Sequence, residues 1–105
     1  MAALFTPGQV GMASGCHEEL FPTFEGGMVE FQIVMRALLV AHCSGDWGDV
    51  DAHDKRVNDE AVKTGARIIS SRTINDIEVW VITEAAQTEN VRERQITTIL
   101  RPSDY

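Results

Sequence analysis

Basic residues are scarce in this chain of 105: nine Lys and Arg stand against sixteen Asp and Glu, for a net charge of −7. A field of that sign repels nucleic acid and anionic membranes and favours basic partner surfaces. Moderate acidity also serves simply to keep a small protein in solution. Cysteines number two, Cys16 and Cys43, too few for a disulfide scaffold, and no signal-peptide pattern opens the chain. The expectation is a cytoplasmic protein with both thiols reduced. Long apolar runs are missing too: the longest, Ala37 to Ala41, is far too short to span a bilayer. No glycine-rich phosphate loop, serine nucleophile elbow, basic nucleic-acid patch or internal repeat can be recognised.

What is there is an ordinary globular composition, 44% hydrophobic and 24% charged. The length fits one domain spanning 1–105, and a chain of this size buries roughly two-thirds of its unfolded surface without needing metal or disulfide staples. Its acidity is uneven. Residues 1–65 carry ten acidic and four basic side chains, whereas residues 66–105 carry six and five.

The opening third has two turn signals, Pro7-Gly8 and Ser14-Gly15, around a weak edge-strand pattern at Gln9 to Met12. "CHEELFPTFEGG" reads as a helical turn ended by Pro22. Residues 28–43, "MVEFQIVMRALLVAHC", are apolar around most of a helical circumference, which predicts the central, most buried helix. A second helix runs through "AHDKRVNDEAVKT": Asp51 suits its N-cap, Asp54 its first turn, Lys63 its last turn and Gly65 its left-handed C-terminal stop. "ARIISSRT" and "IEVWVITE", split by Asn75-Asp76, form a hairpin signature, with Val79, Val81 and Thr83 on one face and Trp80 and Ile82 on the other. "QITTIL" makes a third strand, after a polar stretch, "AAQTENVRER", long enough to protrude. The expected fold is α+β, with N-terminal helices packed on one face of a C-terminal three-stranded antiparallel sheet.

The most unusual stretch is "HCSGDWGDVDAHDKR", residues 42–56. Its aspartates invite a calcium-loop reading, but from Asp49 the sixth position, where such a loop needs glycine, holds Asp54, and only Asp51 and Glu60 fit. Helix capping already accounts for Asp51 and Asp54. His42, Cys43 and His53 are potential zinc ligands without a Cys-x-x-Cys pair or a fourth ligand at a customary spacing. His42 suits a helix C-terminus on dipole grounds alone. The adjacent pairs Cys16-His17 and His42-Cys43 are poor nucleophile–base candidates, because sequence neighbours point in different directions. The expectation is therefore no catalytic residue, no metal and no cofactor. Trp47, between Gly45 and Gly48, fits a core position sharing a layer with Trp80, with an interface role as the alternative.

"SGDWGDVDAHDKRVND", "GARIISSRT", "VWVITEA" and the closing Thr-Thr-Ile-Leu with Pro, Ser, Asp and Tyr together resemble a family of small bacterial proteins carried on plasmids and other mobile elements. Its members typically end in a Trp-Val-Ile-Thr-Glu-Ala-Asp strand-turn and a Thr-Thr-Ile-Leu-Leu-Pro-x-Glu-Tyr tail. The resemblance covers roughly residues 38–105. It departs from the pattern where the short turn after Glu84-Ala85 becomes "AQTENVRERQ", and where the tail's second leucine is Arg101. Members mostly lack an assigned function, and some carry restriction-related labels without a catalytic motif.

With this context the leading expectation is a non-enzymatic binding protein that blocks a host nucleic-acid-targeting defence complex, in the manner of anti-CRISPR proteins. Its acidic surface would occupy a basic channel on the partner, with no direct nucleic-acid or membrane contact. Glu30, Asp46, Asp49, Asp59 and Glu60 are the candidate partner-binding carboxylates, and Arg92 and Arg94 form a competing site suited to an acidic partner. The alternative is a plasmid-maintenance protein that self-associates through its sheet edge. A small metal-dependent enzyme is the least supported class.

Overall fold

The computed structural model describes residues 3–105. Its strands are β1 (Gln9–Met12), β2 (Ile68–Ile74), β3 (Ile77–Thr83) and β4 (Ile96–Leu100), and its helices are α1 (Ser14–Leu20), α2 (Gly27–Cys43) and α3 (Ala52–Thr64). The class is α+β, as expected, but the sheet is four-stranded and mixed, in the order β1-β4-β3-β2. β2–β3 and β3–β4 are antiparallel, while β1 pairs parallel to β4, with Gln9 beside Ile96 and Met12 beside Ile99. The expectation of three strands behind N-terminal helices is thus corrected at the N-terminal end. Gln9–Met12 returns to the far edge and completes the sheet. Among the described residues no helix is long and apolar enough to cross a membrane.

Local chemistry explains most of these elements. The β2–β3 turn places Asn75 and Asp76 at φ 50° and 67°, the left-handed pair that a two-residue hairpin loop requires and that Asn and Asp tolerate best. Asp51 caps α3 by accepting the Asp54 N–H at 2.8 Å, and Gly65 closes it at φ 87°, both as the sequence predicts. Gly48, at φ 73°, lies so close to β2 that any Cβ would strike the Ser71 carbonyl.

Helices α1 and α2 cover one face of the sheet. Cys16, Leu20, Phe24, Phe31, Met35 and Leu38 pack there on Val79, Val81 and Ile99. A smaller apolar cluster of Phe5, Cys43, Trp47, Ala61 and Ile68 lies beside it. Both cysteines are free and buried, and burial pushes both thiols up.

Two expectations fail on α2 and on the loop after β3. Helix α2 is not buried all round: Phe31, Met35, Leu38, His42 and Cys43 face inward, but Val29, Ile33 and Val40 face outward. The stretch 85–94 does not protrude either. Its backbone pairs with the N-terminal segment through Thr6 N–H to Arg92 O and Arg94 N–H to Thr6 O, and Ala86 N–H donates to Gly65 O.

Candidate functional site

Among the seven residues predicted to meet a partner, Arg94 is the clearest misreading. Its side chain is 2% exposed and fans its guanidinium over main-chain carbonyls: Val91 at 2.6 Å, Ala66 at 2.9 Å, Ala61 at 3.0 Å and Glu84 at 3.1 Å. Ala61 O lies in the last turn of α3 and accepts the Gly65 N–H as well, at 2.9 Å. Phe5 lies beneath the guanidinium, 5.6 Å from its carbon. Among the described residues no carboxylate pairs with it. Carbonyl dipoles and a ring face replace water around it, and burial lowers its pKa. Arg94 is a structural clamp and cannot be presented to an acidic partner.

Arg92 is exposed but tied down, donating to Leu4 O and Ala3 O at 3.3 Å each. Asp59 accepts from the indole N–H of buried Trp47 at 2.9 Å, so it is a fold determinant rather than a spare surface charge. Asp46 accepts from Gly48 N–H at 3.2 Å and pairs with Arg72 at 2.7 Å. These contacts, the Gly48 amide first, hold its carboxyl below the usual range. Asp49 and Glu60 are exposed. Glu30 sits in the first turn of α2, about 20 Å along the helix from the Asp46 loop at a rise of 1.5 Å per residue. It is not a neighbour of the other four.

His42 and Trp47 belong to the interior. Trp47 stacks on Phe5 and meets the His42 ring edge-on, which bears out its core assignment. His42, 1% exposed, bridges Ser70 Oγ at 2.6 Å and Thr83 Oγ1 at 2.8 Å. Thr83 meets Thr97 at 2.8 Å, and the Thr97 hydroxyl donates to Pro7 O at 2.8 Å. That last bond orders the whole chain. Thr97 spends its proton on a carbonyl, so Thr83 donates to Thr97 and accepts from His42 Nε2–H. Burial, followed by the fields of Arg72 and Arg94, lowers the His42 pKa to about 4, and in the neutral ring this favours at pH 7 Nδ1 is left to accept from Ser70. Its expected role as a cation at the end of α2 is corrected accordingly. The Ser70–His42 contact has the form of a nucleophile–base pair but is sealed from solvent at both residues. Among the described residues, no three His, Cys, Asp or Glu side chains gather where they could hold a metal ion.

The open chemistry lies on the other face of the sheet, where Trp80 stands. A cleft of about 420 Å³ runs between the start of α3 and β2–β3. Asp49, Val50, Asp54 and Val57 form one wall, Ile69, Ser71, Glu78 and Trp80 the floor, and Arg67 and Asn58 also line it. Glu78 fixes the floor by accepting from the Trp80 indole N–H at 3.0 Å and the Ser71 hydroxyl at 3.3 Å. Tyr105 meets the Trp80 ring edge-on and accepts from Arg67 at 2.7 Å. Trp80 thus does not share a layer with Trp47. Of the predicted carboxylates only Asp49 lines this cleft; sequence reasoning missed Asp54 and Glu78 as its companions. The alternation of β3, which sends Trp80 away from Val79 and Val81, was the signal that could have found the floor.

Three carboxylates around a half-buried indole suit a cation on an apolar stem, such as a lysine or arginine side chain. Comparison with protein-family models, with curated proteins and with solved structures returned no match.

Proposed function

We propose that the protein is a binding protein that receives a basic segment of a partner in the cleft between α3 and the β2–β3 strands. The observation that carries this reading is the convergence of Asp49, Asp54 and Glu78 on the exposed side of Trp80. Carboxylates supply the attraction, and the ring supplies a flat contact for the apolar stem. The net charge of −7 adds long-range steering towards a positive surface. The partner we propose, on the resemblance to mobile-element proteins, is a host nucleic-acid-targeting defence complex whose basic channel the acidic face would occupy, as anti-CRISPR proteins do. Asp59, Arg92 and Arg94 serve the fold.

An arginine-rich peptide titrated against the protein tests the cleft directly, read by the fluorescence of Trp80 in a Trp47→Phe background. Binding should weaken about fivefold in Asp49→Asn/Asp54→Asn, a loss of about 1 kcal/mol, and weaken again as salt rises. The N-cap of α3 survives in this variant, because Asp51 is untouched. An affinity unchanged by both substitutions overturns the cleft as the site. Capture from host lysate, with the same double variant as control, then tests the defence-complex reading. Recovery of a nucleic-acid-guided or restriction subunit supports it, and recovery only of proteins that ignore the substitutions rejects it.

A further inference from the structure

The outward face of α2 is apolar and left uncovered by the described residues. Val29 is 68% exposed, Ile33 63%, Val40 56% and Met28 49%. Val29, Ile33 and Val40 repeat at helical spacing along one meridian, opposite the buried Phe31, Met35 and Leu38. Four such side chains expose on the order of 400 Å² per molecule, within the range where the largest patch of a monomer commonly serves an interaction. The patch is also shaped in two halves. Its N-terminal half carries the large knobs Met28, Val29 and Ile33. Its C-terminal half borders a depression of about 430 Å³ lined by Ala37, Val40, Ala41, Ser44, Gly45 and Asp46, mostly small residues.

We infer that this face binds a second copy of the same chain, with the two α2 helices antiparallel about a two-fold axis between Ile33 and Arg36. That arrangement lays Val29 and Ile33 of each copy over the depression of the other, so a single surface supplies both knob and hole. Charge is compatible with the same occupant. The molecule as a whole carries −7, but α2 carries only Glu30 and Arg36, so this is a neutral strip on an acidic body. Two −7 bodies repel least when they meet through this strip. With flanking Gln32 and Arg36 included, the pair buries on the order of 1,000 Å², the small end of specific interfaces. The dimer is correspondingly weak and concentration-dependent. The cleft beside Trp80 and this depression draw on different parts of the loop between α2 and α3, Asp49 and Val50 against Ser44, Gly45 and Asp46, and share no lining residue, so the two sites can be occupied together.

Sedimentation velocity over a concentration series decides the oligomeric state. A monomer–dimer equilibrium is expected, and Ile33→Asp should shift it at least tenfold towards monomer with an unchanged far-ultraviolet dichroism spectrum. Ala37→Trp, which fills the depression, should do the same from the other half. Orientation follows from cysteine pairs. In the antiparallel arrangement Val29 of one copy faces Val40 of the other, while the two Val29 positions lie about 16 Å apart along the axis. A mixture of Val29→Cys and Val40→Cys chains should therefore oxidise to the mixed disulfide dimer, and Val29→Cys alone should not. A monomer at every concentration, a dimer indifferent to both Ile33→Asp and Ala37→Trp, self-linking of Val29→Cys, or co-sedimentation with lipid vesicles in place of dimerisation overturns the inference.

Discussion

Between α2 and strands β3 and β4 the interior is hydrocarbon: Leu20, Phe31, Met35 and Leu38 meet Val79, Val81 and Ile99 with no polar atom needed to complete the contact. Between α3, the N-terminal segment and the loop after β3 the apolar cluster is small, and polar side chains surround it. Arg94 gathers four carbonyls there, Asn58 holds both the N–H and the C=O of Ile69 on the outer edge of β2, and Asp59 anchors Trp47. His42 stands on the boundary, in the helix of the first region but bonded to Ser70 and Thr83 beside the second. The contrast has a thermodynamic meaning. Hydrocarbon packing tolerates swaps of similar volume, whereas a buried polar hub fails as soon as one partner is lost.

The sharpest way to break the comparison is to treat one residue from each region alike. Arg94→Met keeps the length and apolar stem but leaves the carbonyls of Ala66, Glu84 and Val91 without their donor; it should cost about 4 kcal/mol in urea unfolding, because each buried acceptor left unpaired costs about 1–3 kcal/mol. Arg94→Lys should recover little, because one ammonium cannot span the fan. Leu38→Met, the matching swap in the first region, should cost under about 1.5 kcal/mol. Equal losses at the two positions would erase the distinction.

Acid should find the boundary next. The folded state holds His42 neutral with a pKa of about 4, against about 6.5 in the unfolded chain. Below pH 6.5 the unfolded chain takes up the proton first. The stability that neutral His42 supports is therefore complete above pH 6.5 and falls as pH drops towards 4. The loss reaches about 3 kcal/mol at pH 4 and below. Unfolding measured at pH 7, 5.5 and 4 should show this slope, and His42→Gln should flatten it. A slope identical in the variant would assign the acid sensitivity elsewhere.

Smaller effects separate structural from available carboxylates. Asp59→Ala leaves the buried Trp47 indole N–H unpaired and should cost about 2 kcal/mol. Asp51→Ala removes the α3 cap and should cost about 1 kcal/mol. Asp49→Asn and Glu60→Gln, both at exposed positions, should stay within about 0.5 kcal/mol. A chemical denaturation series across the four ranks them, and an Asp59→Ala variant as stable as Asp49→Asn would return Asp59 to the free acidic face.

What the sequence makes legible here is what neighbours decide. The cap at Asp51, the stop at Gly65, the Asn75-Asp76 turn and the two faces of β3 all depend on residues within a few positions, and all appear as expected. Arg94 is illegible for the opposite reason. Its acceptors come from the end of α3, the segment after it, the end of β3 and its own loop, so in a linear reading it is one more arginine in a polar stretch. Asp59 looks free because its partner lies twelve positions back on another element. Helix α2 misleads differently: apolar character all round implies burial only if the chain itself supplies the cover. The groove was half visible, with Asp49 and the parity of Trp80 in hand but not the approach of α3 that joins them.

The pairing of β1 with β4 sets a schedule for folding. Gln9 to Met12 pair with Ile96 to Ile99, so β1 leaves the ribosome well before the strand it pairs with. The antiparallel hairpin of β2 and β3, closed by its two-residue turn, can form in microseconds, but closing the ring of chain between β1 and β4 carries the loop entropy of almost the whole sequence. Until then the edge of β4 and the Thr6 clasp on the 85–94 stretch stay open. A released chain truncated shortly before residue 96 therefore has its hairpin made and its sheet edge bare, the form most prone to pair with a neighbour.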